Sequence, residues 1–201
     1  QYYLDITKYD QLNSVLKKEK PDIIFHLAAQ SIVSKSFESP LMTMKTNIIG
    51  SVNILESFRV NNIPNLVYIT SDKCYLNLNK AKSYKETDIL GGIDNYSSSK
   101  ASAELVFFSY FQSYFKKNKY LRLASTRAGN VIGGGDMKSN RIIPDIIKSF
   151  KKRKNLFLRN PRATRPWQHV LEPLSGYLNL ACELEKTPTL MGEPFNFGPS
   201  S

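Results

Sequence analysis

The chain has 201 residues, 41% of them apolar, and a formal net charge of +11. That length can bury a substantial core, no apolar run approaches the roughly 20 residues that span a bilayer, and two cysteines make no disulfide framework. The positive charge is spread along the chain and dense only at Lys148, Lys151, Lys152, Arg153 and Lys154, the polar end of a helix rather than a nucleic-acid platform. The opening Gln1-Tyr2-Tyr3-Leu4-Asp5 carries no signal-peptide pattern, so a reducing cytoplasm without membrane contact is expected.

Thr7 is placed to cap a helix running to about residue 18, with Asp10 in its first turn and Pro21 beyond its end. Residues 22–29 form a continuous apolar run, too short for a helix, that suits a strand buried on both faces of a parallel sheet. Ser39-Pro40 starts a helix with Met44, Ile48, Val52 and Leu55 on one stripe, ended by Pro64. Residues 66–69 are the next buried strand, followed by a polar loop of about 20 residues with Gly91-Gly92 near its end.

Residues 96–116 read as a helix with Ala101, Leu105, Phe108, Phe111 and Phe115 packed on one side. Residues 121–126 are a further strand. The alternation predicts βαβ crossovers in a doubly wound α/β sheet. Beyond Arg127 come a flexible loop at Gly133-Gly134-Gly135-Asp136, a helix from Ile142 to about residue 152 and a short strand over 155–159. A helix over 171–185 follows, with Leu174, Leu178 and Ala181 aligned, and then a strand-like run at 195–199.

Chemistry concentrates in Thr70-Ser71-Asp72-Lys73 and Tyr96-Ser97-Ser98-Ser99-Lys100. Tyr96 and Lys100, four apart, leave one helix face together, and an ammonium beside a phenol favours the phenolate, so Tyr96 is a candidate base. Two distant histidines and unclustered carboxylates point to no metal. His26 reads as a core histidine, and Cys74, without a His partner, as unreactive.

These segments, with His26-Leu27-Ala28-Ala29-Gln30, the run from Arg127 to Asp136 and Arg165-Pro166-Trp167-Gln168-His169-Val170, resemble the extended short-chain dehydrogenase/reductase family, and within it the nucleotide-sugar 4,6-dehydratases. The resemblance implies a Rossmann domain holding NAD and a smaller substrate lobe, here residues 1–130 and 131–201 with interleaved elements. It implies a lyase that oxidises C4 of a nucleotide-diphosphate sugar, expected to be CDP-glucose, eliminates water across C5 and C6, and returns the hydride to C6. It also implies a homodimer and a place in surface-polysaccharide synthesis.

By that resemblance Tyr96 takes the C4 hydroxyl proton, Ser71 donates to the C4 oxygen, and Asp72 is the acid at C6. Lys73, where the dTDP-glucose enzymes resemble Asp-Glu, either removes the C5 proton or holds the enolate electrostatically. Lys100 and Tyr96 touch the nicotinamide ribose, Ala28, Ala29 and Gln30 line the cofactor, and Asp5 and Ile6 sit near the adenine. Asn47 is read as structural or as a backbone contact to the cofactor. Asn130 and Arg165 are the sugar-nucleotide candidates, Arg141 and Arg159 are substrate or surface residues, and His169 is a substrate contact or packing.

The family's Gly-rich fingerprint is expected to precede Gln1 and the lobe to continue past Ser201, so these residues alone are expected to bind dinucleotide poorly. A sugar-nucleotide 4-epimerase and a non-catalytic dinucleotide-binding scaffold are the competing readings. Asp72-Lys73 argues against the first, and retention of Tyr96 and Lys100 against the second.

Overall fold

The computed structural model describes residues 1–78, 83–158 and 160–199. Helix α1 (Tyr9–Glu19) is not capped by Thr7, whose amide donates to Asp5 Oδ1 at 2.9 Å. Strand β1 is shorter than the apolar run, Ile23–His26, and largely half-buried rather than covered on both faces; among the described residues it pairs only with the strand at 65–69. A short helix not expected from the sequence, α2 (Val33–Glu38), follows it.

Helices α3 (Pro40–Met44) and α4 (Gly50–Val60) run on through a π-helical turn at Lys45–Ile49, with helical backbone throughout. The wide turn rotates the buried face away from the expected stripe. Met44, Ile48 and Val52 are half-buried, while Thr43, Asn47 and Ser51 face inward ahead of Ile54, Leu55 and Phe58.

Strand β2 (Asn65–Ile69) leads to a single 3-10 turn at Asp72–Cys74. Helix α5 (Asn95–Tyr110) continues into a π-helical turn at Phe111–Phe115. Ala101, Phe111 and Phe115 are buried as expected, but Leu105 and Phe108 point to solvent, because the inward face of α5 carries Tyr96, Lys100, Ala103, Glu104 and Phe107.

Strand β3 (Arg122–Ala128) precedes the two-residue strand β4 (Val131–Ile132) and helix α6 (Ile142–Lys151). Residues 155–158 form no strand, and Arg159 lies outside the described residues. Strand β5 (Gln168–His169) pairs with β4, helix α7 (Leu171–Lys186) follows, and strand β6 (Pro194–Phe197) ends the described order. The buried stripe of α7 is Pro173, Tyr177, Leu180 and Leu184; Leu174 and Leu178 are exposed.

The main sheet has the order β1-β2-β3-β6, every ladder parallel. Side chains alternate across it. Leu66, Tyr68 and Leu123 pack with Phe58, Phe107, Phe111 and Phe115 from α4 and the α5 region, while Val67 and Ala124 pack under Tyr177, Leu180 and Leu184 of α7. Helices on both faces make a doubly wound α/β layer structure, as expected. Residues after 131 return to it, since β6 pairs with β3 and α7 packs on the sheet. Gly176 permits that return, because a Cβ there would collide with the Phe197 ring.

Candidate active site

The register aligns the carboxyl ends of β1, β2 and β3, with His26 opposite Tyr68 and Ile69 opposite Thr126. The loops leaving these ends carry Ala28 to Gln30, Ser71 to Lys73 and Asn130, on the edge where open parallel sheets bind ligands. Ser71 Oγ accepts the Lys73 amide at 3.3 Å, starting the 3-10 turn, and donates to Asp72 Oδ1 at 3.0 Å. Asp72 Oδ2 stands 3.9 Å from Lys73 Nζ, with the two side chains 28% and 35% exposed. The pair is therefore both close and accessible, unlike the core beneath it.

Tyr96 lies in the first turn of α5, which Asp94 caps: its carboxylate accepts the Ser97 amide at 2.9 Å and the Ser97 hydroxyl at 2.7 Å. Gly92 lets the preceding loop press onto that turn, since a Cβ there would collide with Ser98 N and Ser97 C. So placed, the Tyr96 phenol lies close enough to the Ser71 side chain and to Asp72 to feel both, the first lowering it and the second raising it. Ser71, Asp72 and Tyr96 thus converge, and Lys73 joins them through Asp72.

The electrostatics differ from the expectation at Tyr96. Burial pushes its phenol up to about 12, outweighing the lowering by Ser71, and the cation that acts on it is Arg141 rather than Lys100. Lys100, 6% exposed, is pushed down to about 8 by burial, against the pull of Glu104 and Cys74. Its ammonium makes no hydrogen bond or ion pair among the described residues. His26, beside it, is pushed down to about 3 by burial and by the Lys100 charge, so it is neutral; its Nε2 lies 3.3 Å from Ser51 Oγ. Burial also pushes the Cys74 thiol well up, which leaves it unreactive.

Asn47 ties the β1 loop to α5. Its Oδ1 accepts the Gln30 amide at 2.8 Å, and its Nδ2 donates to Gln30 O at 3.0 Å and Ser99 Oγ at 2.9 Å. The Gln30 side chain donates to Thr43 Oγ1 at 2.9 Å, so Gln30 is fixed at backbone and tip. Ala28 is exposed and Ala29 half-buried beside it, open to a ligand. Asp5 is exposed and held low by the Thr7 amide, while Ile6 packs on Gly50 and accepts Asn53 Nδ2 at 2.8 Å.

Of the substrate candidates, Asn130 Oδ1 is buried without a hydrogen-bond partner. Its carbonyl accepts the Gln168 amide at 3.0 Å, which places it beside the strand carrying His169. Arg141 pairs with Asp136 Oδ2 at 2.9 Å and donates to Ser31 Oγ at 3.1 Å, linking the start of α6 to the β1 loop. Arg165 is exposed and donates to Thr164 O at 2.6 Å. His169 is exposed, its Nδ1 accepting the Leu171 amide at 3.3 Å. No hydrogen bond or ion pair joins Arg165 or His169 to Ser71, Asp72 or Tyr96 among the described residues.

Sequence reasoning missed Asp94, Glu104 and Arg127. Glu104 had a signal, lying four residues after Lys100 and eight after Tyr96 on the same helix face. Thr70, read as strand packing, is buried but also hydrogen-bonds the Glu104 carboxylate.

Residues 1–197 match the model of the NAD dependent epimerase/dehydratase family. The chain is 46% identical over 200 residues to CDP-glucose 4,6-dehydratase of Salmonella typhimurium, covering 97% of this chain and 56% of that protein. It is 31% identical to dTDP-D-glucose 4,6-dehydratase of Dictyostelium discoideum, with 81% and 37% covered. The fold superposes on a dTDP-glucose 4,6-dehydratase of Bacillus anthracis solved with NAD, at a TM-score of 0.80 and 26% identity, covering 98% of this chain and 58% of that one. A Streptomyces venezuelae dTDP-glucose 4,6-dehydratase gives a TM-score of 0.83 at 24% identity, with 98% and 57% covered. The chain therefore spans little more than half the length of these solved structures and of the Salmonella enzyme.

Proposed function

The chain belongs to the NAD dependent epimerase/dehydratase family, and on that premise we propose that its protein is a nucleotide-sugar 4,6-dehydratase acting on CDP-glucose. The observation that carries this is the convergence of Ser71, Asp72 and Tyr96, with Lys73 held against Asp72 at 3.9 Å. An epimerase needs an acceptor for one hydroxyl proton; a dehydratase also needs an acid and a base side by side.

The residues fit NAD. Lys100 is a buried ammonium without a hydrogen-bond partner among the described residues, suited to ribose hydroxyls, and Ala28, Ala29 and the fixed Gln30 lie at the same end of the sheet. NAD held there would supply the acceptor for hydride from the sugar C4 and the donor for its return to C6. Asp5 and Ile6 are assigned to the adenine end.

Tyr96 accepts the proton of the C4 hydroxyl while Ser71 donates to the same oxygen. A C4 carbonyl acidifies the C5–H bond. Lys73 then removes that proton or stabilises the enolate, and Asp72 protonates the departing C6 hydroxyl. Asn130, with its orphaned side-chain oxygen Oδ1, and Arg141, Arg165 and His169 are assigned to the sugar nucleotide.

Residues 1–130 with α7 and β6 form the NAD-holding part, and the remainder of 131–201 belongs to the substrate lobe. Exposed Leu41, Leu105 and Phe108 support a homodimer through the long helices, and free Cys74 and Cys182 support a cytoplasmic setting. No helix of the described residues is long and apolar enough to cross a membrane.

Incubating the full-length protein with NAD and CDP-glucose tests the reading. The expected product has lost one water and carries a 4-keto group, with no net NADH. An isomeric hexose of unchanged mass would overturn the assignment in favour of an epimerase.

A further inference from the structure

We propose that the buried Glu104–Arg127 ion pair is a positioning device that locks the Ser71-Asp72-Lys73 turn to the helix carrying Tyr96 and Lys100. The inference rests on the catalytic reading of those residues given above.

The pair lies behind the site. Arg127 Nη2 meets Glu104 Oε2 at 2.7 Å, with the side chains 4% and 2% exposed. Glu104 Oε1 accepts the Thr70 hydroxyl, and Oε2 also accepts Ser125 Oγ at 3.0 Å. Arg127 Nη1 donates to Tyr75 Oη at 2.8 Å and to Glu86 O at 3.0 Å, and its guanidinium lies 5.0 Å from the Tyr75 ring centroid. Tyr75 Oη in turn donates to Asn196 Oδ1 at 2.7 Å.

Thr70 immediately precedes Ser71, and Tyr75 immediately follows Cys74. The two ends of the catalytic turn are thus anchored to opposite halves of one ion pair. Glu104 is itself part of α5, one turn beyond Lys100 and two beyond Tyr96. Distance from turn to helix is therefore set by a rigid, dry connection rather than by the accessible Asp72 and Lys73 side chains.

Stability alone does not account for the arrangement. A well-packed apolar pair of like volume is often as stable as a buried ion pair or more so. Arg127 Nε is moreover buried with no hydrogen-bond partner among the described residues. What charged, multidentate groups add is direction: the two Glu104 oxygens and the two Arg127 Nη atoms each bond a named element.

Two mild variants test this in the full-length protein. Thr70→Val removes the hydroxyl at one end of the turn. Tyr75→Phe removes the one at the other end and keeps the ring stack on Tyr84, whose centroid is 5.1 Å away. The amides of Lys73 and Cys74, bonded to Ser71 Oγ at 3.3 Å and Ser71 O at 3.0 Å, report the turn by hydrogen exchange. Both variants are expected to exchange faster there than wild type and at the wild-type rate in β2.

With NAD and CDP-glucose, kcat is expected to fall about ten- to a hundredfold at a KM within about twofold, the signature of misplaced groups. Thr70→Ser is expected to restore both readouts. Wild-type exchange at Lys73 and Cys74 in either folded variant overturns the proposal, as does a loss confined to KM. Exchange needs no substrate. A wild-type protein that leaves CDP-glucose untouched therefore sinks the catalytic reading, while the anchoring still stands or falls on the amides.

Discussion

Replacing Lys100 by Met should stabilise the protein near neutral pH, and the gain should vanish as the pH rises. Lys100 is pushed down from 10.5 to about 8 because the folded state strips water from its ammonium. Between those values the unfolded chain holds a proton that the folded chain has released, so stability climbs with pH across that window. Below about pH 8 both states are charged, and the folded one carries the whole penalty. A fall of about 2.5 pH units corresponds to about 3 kcal/mol at about 1.4 kcal/mol per unit.

Met fills similar volume without charge, so the variant should exceed wild type by about that much at pH 7 and match it near pH 10.5. Urea unfolding of both proteins at several pH values between 7 and 10.5 measures the gap. The groups facing Lys100 are His26 from β1, Cys74 from the catalytic turn and Glu104 from its own helix. His26 is neutral throughout this range, and burial keeps the folded-state Cys74 thiol and Tyr96 phenol protonated across it in both proteins, so their titrations cancel in the difference. A gap independent of pH, or a less stable variant at pH 7, would refute the reasoning.

Lys73→Met should allow C4 oxidation but block water loss, seen as NADH absorbance that rises with CDP-glucose and does not decay; product at the normal rate would show that Lys73 is dispensable. Tyr96→Phe should abolish that absorbance change while NAD still binds by calorimetry. Arg141→Met removes the cation that lowers the Tyr96 phenol, so the acidic limb of kcat against pH should move to higher pH, the direction in which Asp72 and Asp94 already push it. Gly92→Ala drives a methyl into the backbone of the first turn of α5 and should cost about 2–3 kcal/mol in urea unfolding.

The sheet was legible because its strands are short apolar runs bounded by Pro21, Pro64 and polar loops, a pattern that survives whatever packs around it. Helix faces were less so. Met44, Ile48 and Val52 repeat at helical spacing, yet the π-helical turn at Lys45–Ile49 rotates Thr43, Asn47 and Ser51 inward, and polar residues that hydrogen-bond each other leave no hydrophobic signal. Leu105 and Phe108 misled in the opposite sense, because an apolar residue is free to lie at the surface and the inward side of α5 is taken by Lys100 and Glu104. At the site, adjacency in the chain revealed Ser71, Asp72 and Lys73. The Arg127–Glu104 pair, which joins β3 to α5, needed the register of β2 against β3.

That register explains a division of labour. The side chains assigned to chemistry sit where strands end, with Asp72 and Lys73 partly exposed so that a sugar can replace water around them. Burial raises Tyr96 and lowers Lys100, so the phenol and the amine are drawn toward the same uncharged state by the same cause. Of the two, Lys100 at about 8 is the group whose charge changes near physiological pH, while Tyr96 at about 12 stays protonated until positive charge approaches it. In the proposed reaction Tyr96 would serve as proton acceptor only with further positive charge beside it, which a bound cationic nicotinamide would supply.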